Sequence, residues 1–428
     1  MECQTVGILG NSPDWCFNGV MKLKCTPDDF EVEEKVTLYP SGGPFGLYRL
    51  TKTSLGTPEA IDAVLAKWNL ARWQLGYAGL KDKHALTRQY LTIKAGPRQG
   101  MRQTNLELEY LGQVAEPIHA KDIRANAFAV VLRDMPPAEV ASAATAMEQI
   151  GQFGLPNYFD DQRFGSLGKC GEFIARPWCL GDYERALWLA LAEPNVHDTP
   201  DEQQQKAILR EHWGKWPESK AALARSHRRS VITFLADKPV KPDFKRALAL
   251  IRQDLRSIYL AAFQSDLWNG MLAALLRKVC PAESLAARKI GKRDLPFYAA
   301  LDDRAKTLLR ETLLPLPSAR LHLEEGPVKQ LVEEVLAAEG MELRQVRLKF
   351  PRDTFFSKGE RPAIFFPAGV SHEVAADDFY RGQQKMTLRF ELPRGAYATI
   401  LVKRVTDINL EAEEFENEPA SQAAAPVD

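Results

Sequence analysis

The sequence predicts an α+β protein in which a β-rich domain is interrupted by a largely helical one. Three observations predict it. Segments alternating apolar and polar residues dominate the first part of the chain, helical periodicity takes over beyond about residue 180, and clean alternation returns near residue 385.

MKLKCTPDDFEVEEKV and GLYRLTKT read as strands around a turn. Thr57 then offers an N-cap and Pro58 fits the first helical turn, so EAIDAVLAKWNL continues as an amphipathic helix. RQYLTIKA, NLELEYLG and IRANAFAVVLRDM are further strands, the last alternating at Phe128, Val130 and Leu132. A helix is predicted from about Pro137 to Gln152. The helical middle comprises YERALWLALAE, EQQQKAILREHW, FKRALALIRQDL and SDLWNGMLAALLRKV. After the helix LVEEVLAAE, a β-rich patch is expected from Val346 to Phe366. KMTLRFELP alternates at Met386, Leu388, Phe390 and Leu392, and GAYATILVKRV closes a finish read as β-rich. No repeat of solenoid period is present.

The 428 residues suit two domains, perhaps three, and 45 % apolar with 26 % charged residues leaves ample core. No apolar run is long enough to cross a bilayer, and the amino terminus lacks a secretory pattern. A cytoplasmic protein is expected. The six cysteines, at 3, 16, 25, 170, 179 and 280, form no CxxC pair and read as buried or idle thiols in a reducing compartment. Lys plus Arg equals Asp plus Glu at 56 each, so composition gives no sign of a nucleic-acid partner. Neutrality does not exclude one, because binding follows local potential. The tail from 411 to 428 has the acidic, Ala/Pro-rich composition of a disordered end.

Several chemistries are disfavoured by their missing motifs. FGSLGKCGEF lacks the earlier glycine of a phosphate loop and places Cys170 where Ser or Thr is required. No GxGxxG follows a strand and no GxSxG elbow exists. No nucleotide cofactor is therefore expected, and because the seven histidines are scattered, none in HExxH, no catalytic metal is expected either.

One stretch stands out, GYAGLKDKHALTRQYLTI, which sets Asp82 between Lys81 and Lys83 with His84 next. Flanking cations favour the ionised carboxylate, and Lys81, Lys83 and His84 would attract phosphates. Such a carboxylate can act as nucleophile or base toward a nucleoside. Taken alone, a solvated charged turn explains these letters better. PDDFEVEE adds Phe30 at the start of a strand. PNYFDDQRFG packs aromatic, amide and guanidinium groups together, a mix able to stack a flipped base and bond its edge. A loop whose aromatics plug a core is the plainer account of that segment alone.

Taken in order, LKCTPDDFEVEE, YAGLKDKHALTRQ, RANAFAVVLR, PNYFDDQRFG, IYLAAFQSDLWN and FELPRGAYATILVKRV resemble the TruD family of tRNA pseudouridine synthases, over about residues 22 to 405. The resemblance implies isomerisation of uridine to pseudouridine in tRNA, at position 13 in bacterial members, without cofactor or metal. It implies that Asp82 is the catalytic acid, supported by Lys24, Phe30, Asn157 and Phe159. RNA contacts are expected from Lys81, Lys83, His84, Asn126 and Arg163. The implied fold is a pseudouridine synthase domain with a mixed or antiparallel sheet, interrupted by an inserted α/β TRUD domain, with an RNA-binding cleft between them. The expected boundaries are 1–178 and 380–410 for the catalytic domain and 179–379 for the insertion. A monomer acting on tRNA is expected. The route stays open among attack at C6, attack at C1′ and removal of a C2′ proton.

The chain departs from the family pattern at Asp160, where NYFG is common, and at Ala125-Asn126, where Gly-Asn is expected. SHRRS, residues 226–230, reads as an RNA-contacting patch or, more simply, a solvated charge run. Two rivals remain: an RNA-binding protein without catalysis, which predicts a broken KDK or NxxF motif, and an N-glycosidic hydrolase, which would release free uracil.

Overall fold

The computed structural model describes residues 21–237 and 240–406, so the tail expected at 411–428 and the thiols of Cys3 and Cys16 lie outside the described residues. The chain divides into two compact units, one built from residues 21–154 and 366–406, the other from residues 155–365.

The first unit runs β1 (Lys22–Leu23), β2 (Phe30–Val36), β3 (Phe45–Thr53), α1 (Thr57–Trp68), β4 (Leu75–Tyr77), β5 (Leu86–Lys94), β6 (Met101–Gln103), β7 (Leu106–Val114), β8 (Ile123–Met135) and α2 (Pro137–Phe153). The second contains the short strand β9 (Leu155–Pro156), then α3 (Ala175–Leu180), α4 (Tyr183–Leu191), α5 (Pro200–Glu211), α6 (Trp216–Ala222), α7 (His227–Ala236), α8 (Phe244–Ala249) and α9 (Gln253–Val279). It continues with the hairpin β10 (Leu285–Ile290) and β11 (Arg293–Tyr298), α10 (Asp303–Glu311), β12 (Leu313–Pro315), α11 (Pro327–Ala338), β13 (Glu360–Pro362) and β14 (Ile364–Phe365). The chain then returns to the first unit with β15 (Ala368–Ala376), β16 (Gln384–Pro393) and α12 (Ala398–Thr406).

In the first unit the strands form one mixed sheet in the order β15-β16-β8-β2-β5-β3-β7-β6, with β1 beside β8 and β4 beside β5. Neighbours are antiparallel except β2 and β5, which run parallel. Register places alternate residues on one face. Over part of that face lies α1, whose Ala60, Ile61 and Val64 pack with Tyr48, Leu50, Leu91, Ile93 and Leu108, all buried. Crossing the same face is a buried polar band. Asn126 of β8 stands opposite Glu34 of β2, and Thr87 of β5 stands opposite Lys52 of β3, with Gln89 two residues along. Glu34, Lys52, Thr87 and Gln89 are each no more than 1 % exposed. Buried polar groups at this density require partners, which fixes how these strands and the loops beside them are arranged.

The second unit packs α3 to α8 around Trp178, Leu187, Leu209, Trp216 and Ile232. Its central element is α9, buried on nearly every side from Leu260 to Leu276, as expected of a helix apolar all round. The polar residues of that buried stretch are matched: Gln264 donates to the carbonyls of Pro317 and Ser357, and Asp266 takes two bonds from Arg293.

Three local expectations change. Gly56, not Thr57, is the N-cap of α1, because the Thr57 hydroxyl is engaged elsewhere, as described below. The patch from Val346 to Phe366 is mostly irregular, with Pro351, Gly359 and Pro362 limiting strands to β13 and β14. GAYATILVKRV ends in the helix α12, where Ile400, Leu401, Val402 and Val405 are buried and Arg404 bonds Gln149 of α2 at 2.8 Å. Tertiary packing there overrides β-branched propensity.

Candidate active site

Asp82 lies in the loop joining β4 to β5, and three of its oxygen atoms are held at once. Oδ2 accepts from Lys24 Nζ at 2.6 Å and Oδ1 from the His84 backbone N–H at 3.0 Å. Its carbonyl accepts from Lys52 Nζ at 2.6 Å. The loop is tied down further by Thr57. The Thr57 hydroxyl accepts from the Lys81 N–H at 3.0 Å and donates to Gln89 Oε1 at 2.9 Å, while Gln89 Nε2 donates to the Gly79 carbonyl. This explains why a threonine at the start of α1 leaves the capping role to glycine.

Lys24 lies just before the turn that leads into β2, and Phe30 is the first residue of β2. Lys24 Nζ sits 4.0 Å from the centre of the Phe30 ring, a cation–π contact that supplements its ion pair. Asp29 anchors the turn: it accepts from the Thr26 N–H and takes a two-point bond from the buried Arg133 guanidinium. Phe30 meets Phe128 edge to face, and Phe128 stacks on Phe390, so one aromatic row runs across β2, β8 and β16.

Burial pushes the Asp82 carboxyl up, but the charge and hydrogen bond of Lys24, with the His84 N–H, outweigh it and hold the group below its ordinary value. Asp82 is ionised at neutral pH. Burial lowers the His84 imidazole, with Lys83, Lys24 and Lys52 adding to the effect against Asp82. Burial likewise pulls Lys52 down to about 8, opposed by the carboxylates of Asp82 and Glu59.

The lysines flanking Asp82 differ sharply. Lys81 turns its ammonium inward, 2.8 Å from Glu34 Oε1 and 3.1 Å from Asn126 Oδ1. It was expected to reach phosphate; its side chain is 12 % exposed and bridges the buried polar band instead. Lys83 is 53 % exposed and pairs loosely with Glu59 at 3.4 Å.

The second unit holds the other expected residues. The Asn157 side chain donates to the Pro362 carbonyl and accepts from Arg361 Nη2 at 2.6 Å, while its backbone carbonyl accepts from Arg361 Nε. The backbone of Phe159 is clamped by Asn269, which accepts its N–H at 2.9 Å and donates to its carbonyl at 2.8 Å. Its ring stands edge-on to Trp268 and lies 4.4 Å from the Arg361 guanidinium. Arg163 approaches the same ring at 5.7 Å and bonds Ser265. Arg361, Asn269, Lys52 and Glu34 escaped the sequence reading. Arg361 lies 204 positions from the asparagine it holds, and no local motif signals such a pairing. Lys52 and Glu34 did carry a signal: each is a charged residue on the apolar face of an alternating strand.

Comparison with known proteins places the chain in a family. Residues 18–405 match the family described as tRNA pseudouridine synthase D (TruD). A Methanocaldococcus jannaschii protein named "Probable tRNA pseudouridine synthase D 2" is 30% identical over 401 residues, 92% of this chain and 94% of its own. The Aquifex aeolicus protein named tRNA pseudouridine synthase D is 26% identical, covering 90% of this chain and 98% of its own. A crystal structure from Methanosarcina mazei, described as that of the "Putative tRNA pseudouridine synthase D (TruD)", superposes with a TM-score of 0.72 at 22% identity, covering 90% of this chain and 93% of that one, and shows the same fold.

Proposed function

The chain belongs to the TruD family of tRNA pseudouridine synthases, isomerases that convert uridine to pseudouridine in tRNA, and on that premise we propose that Asp82 is the catalytic carboxylate and position 13 the target. One observation carries the role of Asp82: a partly buried carboxylate that Lys24 keeps ionised, with both oxygens oriented and an aromatic ring beside the lysine.

The reaction breaks the bond from C1′ to N1, turns the uracil and joins C5 to C1′; C5 gives up its proton and N1 takes one up, so substrate and product are isomers. Attack by Asp82 at C6, attack at C1′ and abstraction at C2′ all need an ionised group at a fixed angle, which the three anchored oxygens supply. The base must first leave its stack, and the Phe159 ring, held rigid by Asn269, Trp268 and Arg361, is suited to replace the lost stacking. Lys83, His84, Asn126 and Arg163 are assigned to RNA contact. As an isomerisation the reaction consumes no redox equivalent and no second substrate. A monomer acting in the cytoplasm is the arrangement we propose.

The test incubates the protein with unmodified tRNA transcripts and maps pseudouridine at nucleotide resolution, with Asp82→Asn as control. Pseudouridine at position 13, absent with the variant, is the expected result. Equal modification by both proteins removes Asp82 from the chemistry, and release of free uracil marks a hydrolase.

A further inference from the structure

We propose that Lys52 is a positioning residue for the reaction, holding the main-chain carbonyl of Asp82 and through it the direction in which the Asp82 carboxylate is presented. The proposal rests on the role just assigned to Asp82 and extends it to a group that neither the motifs nor the comparisons single out.

Lys52 is 1 % exposed on β3, a degree of burial lysine almost never reaches without a partner. Its hydrogen bond is to the Asp82 carbonyl at 2.6 Å, a short, charge-assisted contact. Opposite it in register stand Thr87 and Leu106, neither titratable. The charged groups that act on it are Asp82 and Lys81 from the loop and Glu59 from α1, with His84 nearby. For packing alone, methionine would fill this place without the desolvation cost. The ammonium makes structural sense as one of three grips on a single residue: Lys24 on Oδ2, the His84 N–H on Oδ1, and Lys52 on the carbonyl. With both ends of the residue fixed, rotation of the carboxylate is restricted, and displacements near 1 Å at a reacting group cost about a hundredfold in rate.

A pH dependence follows. Burial brings Lys52 down to about 8, so near that pH the ammonium becomes a neutral amine. The charge-assisted bond then weakens to an ordinary one, and a positive charge beside Asp82 disappears.

The experiment measures single-turnover pseudouridine formation on an unmodified tRNA transcript across the neutral and alkaline range, with tRNA affinity measured in parallel. Wild type should lose rate above about pH 8. Lys52→Met should lower the rate constant about a hundredfold and abolish that alkaline limb, with tRNA affinity within about threefold of wild type. Lys52→Arg, whose cation cannot lose its proton, should recover part of the rate and carry it to higher pH. A Lys52→Met protein with the wild-type rate constant and profile overturns the proposal. If that variant does not fold, the other two decide: a flat wild-type profile, or an alkaline limb unmoved by arginine, overturns it equally. Wild type that forms no pseudouridine at any pH overturns the functional reading itself, and the Lys52 role falls with it.

Discussion

Lys24 Nζ lies 2.6 Å from Asp82 Oδ2 while the Lys24 backbone occupies the left-handed region, at φ 53°. A residue with a Cβ is uncommon there and costs on the order of 1 kcal/mol, so the surroundings must enforce it. They do so through Asp29, which caps the following turn and is held by Arg133. Strain in the lysine is therefore coupled to the placement of its ammonium over Phe30 and against Asp82.

Lys24→Met tests that coupling. Burial of Asp82 would then act with its chief opponent removed, so the carboxyl value rises. We expect activity at neutral pH to fall about a hundredfold or more, and the acidic limb of the rate profile to move to higher pH. A pH–rate profile with the limb unmoved would mean that Lys24 does not govern the charge of Asp82.

The same pair contributes to stability with a definite sign. Because the folded carboxyl sits below its unfolded value, the contribution is present above the unfolded carboxylate range near 4 and is lost as pH falls through the folded value. Asp82→Asn should abolish pseudouridine formation while its stability gap from wild type narrows on acidification, measured by urea melts at neutral and acid pH. A gap that widens toward acid would contradict the assignment.

Lys52 contributes a slope of the same sign in an alkaline window. Between about 8 and its ordinary value near 10.5, the unfolded chain binds a proton that the folded chain does not. The Lys52 contribution to stability should therefore rise with pH across that window, and Lys52→Met should remove that component. Denaturant melts at several alkaline pH values measure it, and a wild type and variant of identical slope would show that Lys52 titrates normally.

How much of this was legible in the sequence depends on what each residue answers to. KMTLRFELP and IRANAFAVVLRDM alternate because one sheet face is buried, and they are the strands β16 and β8 as read. The helical middle was legible for the same reason at a different period. TILVKRV was not, because burial against α2, a non-local fact, decides its helix. In the site, the cluster KDKH identified the loop but not the direction of its side chains. Lys81 and Lys83 are equivalent as letters; only the depth of Glu34 separates them.

Arg361 is the residue whose importance only the structure reveals. It bonds both the backbone and side-chain oxygens of Asn157 and covers the Phe159 ring. Arg361→Met should lower stability by about 1–3 kcal/mol, as the Asn157 oxygens lose their donor, and reduce kcat about tenfold through a looser Phe159. Arg361→Lys should rescue poorly, because a point charge cannot reproduce the two-point hold. Full activity in the lysine variant would show that charge alone suffices.

The two lysines beside Asp82 give the last prediction, and they should fail in different assays. Lys83 is exposed and loosely paired, so its ammonium is available to a phosphate; Lys83→Ala should weaken tRNA binding and reduce the slope of log affinity against log salt by about 0.9. Lys81 is committed to Glu34, whose carboxylate is buried, and to Asn126. Lys81→Met should leave the salt slope unchanged and instead cost about 3 kcal/mol of stability, because it strands a buried charge. Salt-titrated binding isotherms and denaturant melts of both variants separate the roles. A salt slope lowered by Lys81→Met and untouched by Lys83→Ala would mean that RNA draws Lys81 away from Glu34, and the inward arrangement would then describe the free protein alone.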